Sequence, residues 1–180
     1  MATERVRPDE NAGVSVITQR LTSLVGGRVT GLSRLSGGTS RDTWSFDCDR
    51  AGERVGLILQ VERPSGLLGQ GRIPTEAELL FAAGRAGVPV PSVLQFGDDD
   101  GFGAPWMVLQ RIDGETIPRK ILRDLEFTRA RKLMTEQCAR AMAAIHHIPI
   151  DSVPGLSDSD QLDEFERVLG GFDEPRPALE

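Results

Sequence analysis

Apolar positions recur first at helical and then at alternating spacing, and the switches between the two outline the chain. Val14, Ile17, Leu21 and Leu24 stand three or four residues apart and predict a helix, which Gly26-Gly27 stops. Residues 1–12 are polar without a period and read as a disordered arm. Residues 29–35, 43–48 and 55–61 read as strands, divided by the turn signals Ser36-Gly37-Gly38-Thr39-Ser40 and Asp49-Arg50-Ala51-Gly52. Pro64-Ser65-Gly66 stops the third. Short strands joined by tight turns predict an antiparallel meander.

A second helix is predicted from Thr75-Glu76-Ala77-Glu78, which fits a capping box in which the Thr75 hydroxyl accepts from the Glu78 amide. Leu79, Leu80 and Ala83 give it an apolar face, and Gly84 or Gly87 can end it. Each proline in Val88-Pro89-Val90-Pro91 biases its predecessor away from helix, so this stretch is extended. Residues 93–96 and 106–109 read as two more strands joined through Asp98-Asp99-Asp100-Gly101. After Asp113-Gly114 the character changes. Residues 125–145 form a long helical pattern with Met134, Cys138, Met142 and Ile145 on one face, ended by Pro149. Leu162, Phe165 and Leu169 predict one further short helix. The first part is therefore sheet-rich and the second helical, with a seam near residue 112.

Composition narrows the function classes. A net charge of −6 argues against a nucleic-acid partner, because neutralising phosphates needs clustered Lys and Arg. No apolar run approaches the roughly 20 residues of a membrane helix, and the start carries no apolar signal segment. Cys48 and Cys138 lack metal-ligand spacing and read as buried thiols of a reducing cytoplasm. Carboxylates crowd the segment after Asp151, which reads as a solvated helix face and tail. Three scarcities matter more. Asn11 is the sole asparagine, His146 and His147 are the sole histidines, and Lys120 and Lys132 are the sole lysines. The two histidines close an amphipathic helix, where they read as C-terminal caps rather than metal ligands.

Gly37 and Gly38 allow the backbone to turn tightly, and the amides of such a turn, with the Thr39 and Ser40 hydroxyls, can donate to phosphate oxygens. The stretch is neither G-x-G-x-x-G nor a Walker A sequence, so alone it does not separate a phosphate cradle from an ordinary hairpin. Its context does more. A glycine-containing hairpin, a third strand, a helix with an early glutamate and two strands leading to a connector is the order of a kinase amino lobe. Leu35-Ser36-Gly37-Gly38-Thr39-Ser40, Ile58-Leu59-Gln60, Thr75-Glu76-Ala77-Glu78-Leu79-Leu80, Val88-Pro89-Val90-Pro91, the hinge-like Trp106–Gly114 stretch and Ala143-Ala144-Ile145-His146-His147 together resemble the aminoglycoside phosphotransferase and choline kinase superfamily.

The resemblance implies an α+β, protein-kinase-like amino-terminal lobe: a five-stranded antiparallel sheet with one packed helix, over residues 13–111. A linker and the helical start of a carboxy-terminal lobe would follow over 112–180. It further implies ATP or GTP with Mg2+ as cofactor. Ser36, Gly37, Gly38, Thr39 and Ser40 would cover the phosphates, backbone groups of Gln110 and Ile112 would bond the purine edge, and Ile58 and Leu109 would line its pocket. Glu76 would pair with a third-strand cation. Here the chain departs from the family, which places Lys or Arg where this sequence has Gln60. An amide brings no charge, so nucleotide affinity should be reduced. Arg63 falls on the opposite strand face and does not replace it. A glutamate in a first helical turn is also favoured by the helix dipole alone, by about 0.3–1 kcal/mol, so Glu76 retains a purely structural reading.

Phosphoryl transfer of this kind needs an aspartate to orient the acceptor hydroxyl and further groups to hold the metal. The family supplies them from a His-Gly-Asp segment with Asn five residues on, and from a later Asp. No asparagine follows Asn11, and neither histidine precedes Gly-Asp. The sequence therefore reads as cut before that motif. The expected function is the nucleotide-binding portion of a small-molecule kinase acting on a hydroxyl, inactive in isolation, its second lobe or a homodimer partner covering the open face. The alternative is a free-standing nucleotide-binding or dimerising module.

Overall fold

A computed structural model describes residues 8–35, 41–63, 72–156 and 161–171. Five strands, β1 (Arg28–Arg34), β2 (Arg41–Arg50), β3 (Glu53–Glu62), β4 (Val93–Gly97) and β5 (Trp106–Gln110), form one antiparallel sheet in the order β1-β2-β3-β5-β4. The meander and the later strand pair are joined through β3 and β5, where Ile58 stands opposite Leu109 and Gln60 opposite Met107.

The register follows from one turn. Ala51 and Gly52 both take positive φ, 52° and 85°, which matches the two-residue hairpin turn compatible with strand twist. Arg50 therefore faces Glu53, and pairing runs unbroken to Arg41 opposite Glu62. Because side chains alternate, Phe46, Cys48, Leu57 and Leu59 share one face while Arg41, Thr43, Ile58 and Gln60 share the other.

A helix covers each face. The first, α1 (Pro8–Val25), buries Leu21 completely against Val29, Phe46, Leu57, Leu59, Trp106 and Val108, with Ile17, Leu24 and Val25 around it. It begins at Pro8, so residues 8–12 belong to a helix and not to an arm. Proline suits a first helical turn because the amide it lacks would have no partner there. The second helix, α2 (Arg72–Arg85), packs on the other face through Ile73, fully buried with Met107 and Leu109. It too starts early, which makes Thr75 an interior residue and not the expected cap. Burial of Ile73 draws the first turn back, and Pro74 is tolerated where helix amides have no intrahelical acceptor.

Beyond β5, α3 (Pro118–Arg123), which the pattern does not predict, leads through a 3-10 turn at Leu125–Phe127 into α4 (Thr128–His146), and α5 (Gln161–Gly170) follows. Neither α3 nor α4 buries a residue. Cys138 on α4 is exposed, against the expectation of two buried thiols, whereas Cys48 is buried. The chain after α4 returns to α2: Val153 is buried, and an added Cβ at Gly155 would sit 3.1 Å from Thr75 Oγ1.

Candidate functional site

The sheet face under α2 gathers four of the eleven residues singled out from sequence. Ile58 and Gln60 on β3 point to it, as do Met107 and Leu109 on β5 and Glu76 on α2. Ile58 packs against the cluster of Ile73, Met107 and Leu109. Leu109 is only 7% exposed, so it forms the floor of this face and Ile58 the more open side. Ser36, Gly37, Gly38, Thr39 and Ser40 lie outside the described residues.

Glu76 does pair with a cation, but the cation comes from β2 and not from β3. Arg41 Nη1 donates to Gln60 Oε1 at 2.8 Å and to Glu76 Oε1 at 2.9 Å, and Arg41 Nη2 donates to Glu76 Oε2. The guanidinium thus meets the carboxylate as a two-bond fork and holds the Gln60 side chain by its oxygen. Arg41 stands opposite Glu62, two residues along from Thr43 opposite Gln60, so the contact is diagonal. The hydrogen bond from Arg41 to Glu76, opposed by burial and aided by the nearby carboxylates of Glu76 and Glu62, raises the guanidinium pKa above its ordinary value. Glu76 is the fifth residue of α2, past the first turn, so the helix dipole explains little of its presence. Sequence reasoning missed Arg41. The signal was available in the Ala51-Gly52 turn, from which counting outward puts Arg41 and Gln60 on one face.

Arg63 lies on the other face, as its parity requires. Its Nε and Nη2 donate to Asp42 Oδ1 at 2.9 and 2.8 Å, and Arg34 pairs with the same oxygen.

Just past β5, Arg111 folds back across β3 and β2. Its Nη2 lies 2.8 Å from Asp47 Oδ1 and its Nη1 donates to Ser45 Oγ at 3.2 Å. Gly56 makes room for it, since a Cβ there would fall 2.5 Å from Arg111 Nη2. The Arg111 amide donates to Gly56 O at 2.9 Å and the Gln110 amide to Ser92 O at 2.9 Å. Of the two backbone positions expected to meet a base, Gln110 therefore has its amide committed. Ile112, 63% exposed, has no backbone partner among the described residues. His147 acts as a cap: its Nδ1 donates to Ala143 O at 2.6 Å, one turn back on α4.

A family model described as "Phosphotransferase enzyme family" matches residues 31–178. The chain belongs to this phosphotransferase family. A solved structure from Ralstonia eutropha JMP134, described as a candidate aminoglycoside phosphotransferase, matches 89% of this chain and 50% of its own length, with a TM-score of 0.58 at 18% identity. A candidate fructosamine-3-kinase from Thermobifida fusca YX-ER1 matches 58% of this chain and 33% of its own, with a TM-score of 0.40 at 19% identity. Among curated proteins none matches. The first likeness establishes a kinase-like fold, and this phosphotransferase-family chain spans half or less of the length of the solved structures it matches.

Proposed function

We propose that this chain is the nucleotide-holding portion of a small-molecule kinase of the phosphotransferase family, one whose full protein moves a phosphoryl group from ATP or GTP to a hydroxyl. The observation that carries the reading is the Arg41–Gln60–Glu76 cluster on the same sheet face as Ile58 and Leu109. A charged fork beside an apolar floor suits a ligand with a flat base at one end and phosphates at the other. Residues 13–111 would form the lobe, with Ser36–Ser40 over the phosphates and the Ile112 amide against the base edge. The donor set fits the phosphates. Among the described residues no three His, Cys, Asp or Glu side chains converge to hold a metal ion by themselves. In this reading the groups that seat the acceptor are not taken from this chain, whose sequence has no His-Gly-Asp followed five residues later by asparagine. No helix among the described residues is long and apolar enough to cross a membrane, and a cytoplasmic setting is part of the proposal.

Calorimetric titration with Mg-ATP, Mg-GTP and adenosine tests this. Saturable binding of at least one triphosphate is expected, with no hydroxyl-dependent nucleotide consumption. Silence toward all three ligands would overturn the nucleotide reading, and turnover would overturn the assignment of catalysis elsewhere. A second reading, a module that engages another lobe or a second copy, is favoured by the exposed apolar side chains of Met142, Ile145 and Phe165 on α4 and α5.

A further inference from the structure

Phosphate recognition in a fold of this kind calls for a positive charge near the helix carboxylate, and β3 offers only the neutral Gln60. The structure supplies that charge from the neighbouring strand. Arg41 is half-buried, with 22% of its side chain exposed, and it is held from two sides by Glu76 and Gln60. Those contacts engage both Nη atoms, yet a guanidinium carries five N–H groups and only three are used here. Among the described residues, Nε and the second hydrogen of Nη2 have no acceptor. Glu76 and Gln60 therefore fix the plane of the fork without exhausting it. An arginine whose only role was to neutralise Glu76 would need no third partner, but Gln60 spends its oxygen on the same Nη1, and its amide nitrogen donates to no acceptor among the described residues.

We infer that Arg41, oriented by Glu76 and Gln60, is the phosphate-binding cation of this chain, and that β2 here takes over the part β3 would otherwise play. The inference rests on the nucleotide reading above and names the group that gives it charge. Arg41 and the Gln60 amide together present donors to anionic oxygens. Glu76 acts through Arg41, as a positioning residue.

The test compares ATP and adenosine binding in the 180-residue chain and its variants, because adenosine shares the base and ribose but has no phosphate. R41Q is expected to weaken ATP binding about 10- to 100-fold, the range for losing charge-assisted hydrogen bonds, while leaving adenosine affinity unchanged. R41K keeps a charge against Glu76 but loses the fork, and should fall between, several-fold weaker for ATP. The reading variable is the ratio of ATP to adenosine affinity within each variant, so a general loss of fold does not imitate the effect. If R41Q does not fold, the R41K ratio decides alone. A ratio unchanged by substitution overturns the inference while leaving the nucleotide reading intact. Failure of the unsubstituted chain to bind either ligand overturns both.

Discussion

Arg41 and Asp42 are neighbours in sequence, yet the pleat of β2 sends them to opposite faces, and each organises a different charge cluster. Asp42 receives Arg63 and Arg34 on the α1 side of the sheet. Burial works to raise its carboxyl pKa, but the hydrogen bonds from the two arginines outweigh it and hold the group below the ordinary aspartate range. The sign follows. Well above about pH 3.9, the unfolded value, the carboxylate is ionised in both states and its contribution is complete. As pH falls through that value toward the lowered folded one, the unfolded chain protonates first and the contribution is lost. D42N should thus be less stable than the parent near neutrality and lose less stability between pH 5 and 3. Thermal melts across that range check it; parallel melting curves for the two proteins would contradict the charge assignment. None of this cluster was legible from residue types alone. Arg63 could be placed by parity, but its partner depends on a register set at Ala51-Gly52, nine or more residues away; the turn is legible there, and the pairing follows only once its two-residue length, with Ala51 at φ 52°, is counted outward.

At the scale of elements, strands were more legible than helix ends. Apolar patterning identifies all five strands to within a few residues: alternation where one face is open, and in β5 a continuous apolar run, because that strand is buried on both faces. Helix starts failed for a physical reason: local capping signals competed with tertiary burial and lost. Thr75-x-x-Glu78 is a sound capping box, but Ile73, two residues earlier, fills the cluster between Met107 and Leu109 and extends α2 to Arg72. The other end of α2 obeys its local signal. Gly87 sits at φ 81°, its amide donates to Gly84 O at 3.1 Å, and Val88 donates to Ala83 O at 3.0 Å. These are the paired bonds of a Schellman cap, which needs a left-handed residue after the helix. G87A should destabilise the chain by about 1–2 kcal/mol, the cost of that conformation for an L-residue, although space for the methyl is open. Urea denaturation measures it. A neutral result would mean that the α2 terminus contributes nothing to the cooperative unit, and with it the placement of Glu76 would lose its rigid support.

Over the whole molecule, burial is uneven. Two apolar layers enclose the sheet, one under α1 and one under α2, whereas α3 and α4 bury nothing and the one buried residue after them is Val153, among the described residues. The periodicity of Met134, Cys138, Met142 and Ile145 correctly gave a helix with one apolar face, but a stripe in sequence says that a face wants cover, not which surface provides it. In this chain those side chains are open: Met142 is 57% and Ile145 49% exposed. Stability should divide accordingly, since local opening is cheapest where few apolar contacts are lost. Native-state hydrogen exchange should find the amides of β2, β3 and β5 exchanging only with global unfolding, and those of α4 exchanging far faster through local opening. Protein concentration then separates the two ways of covering the stripe. If a second copy covers it, protection of α4 rises with concentration while that of β5 stays fixed. If the stripe awaits a different lobe, α4 remains fast at every concentration. Slow exchange in α4 at high dilution, equal to that of β5, would contradict both, because nothing in the packing of the described residues accounts for it.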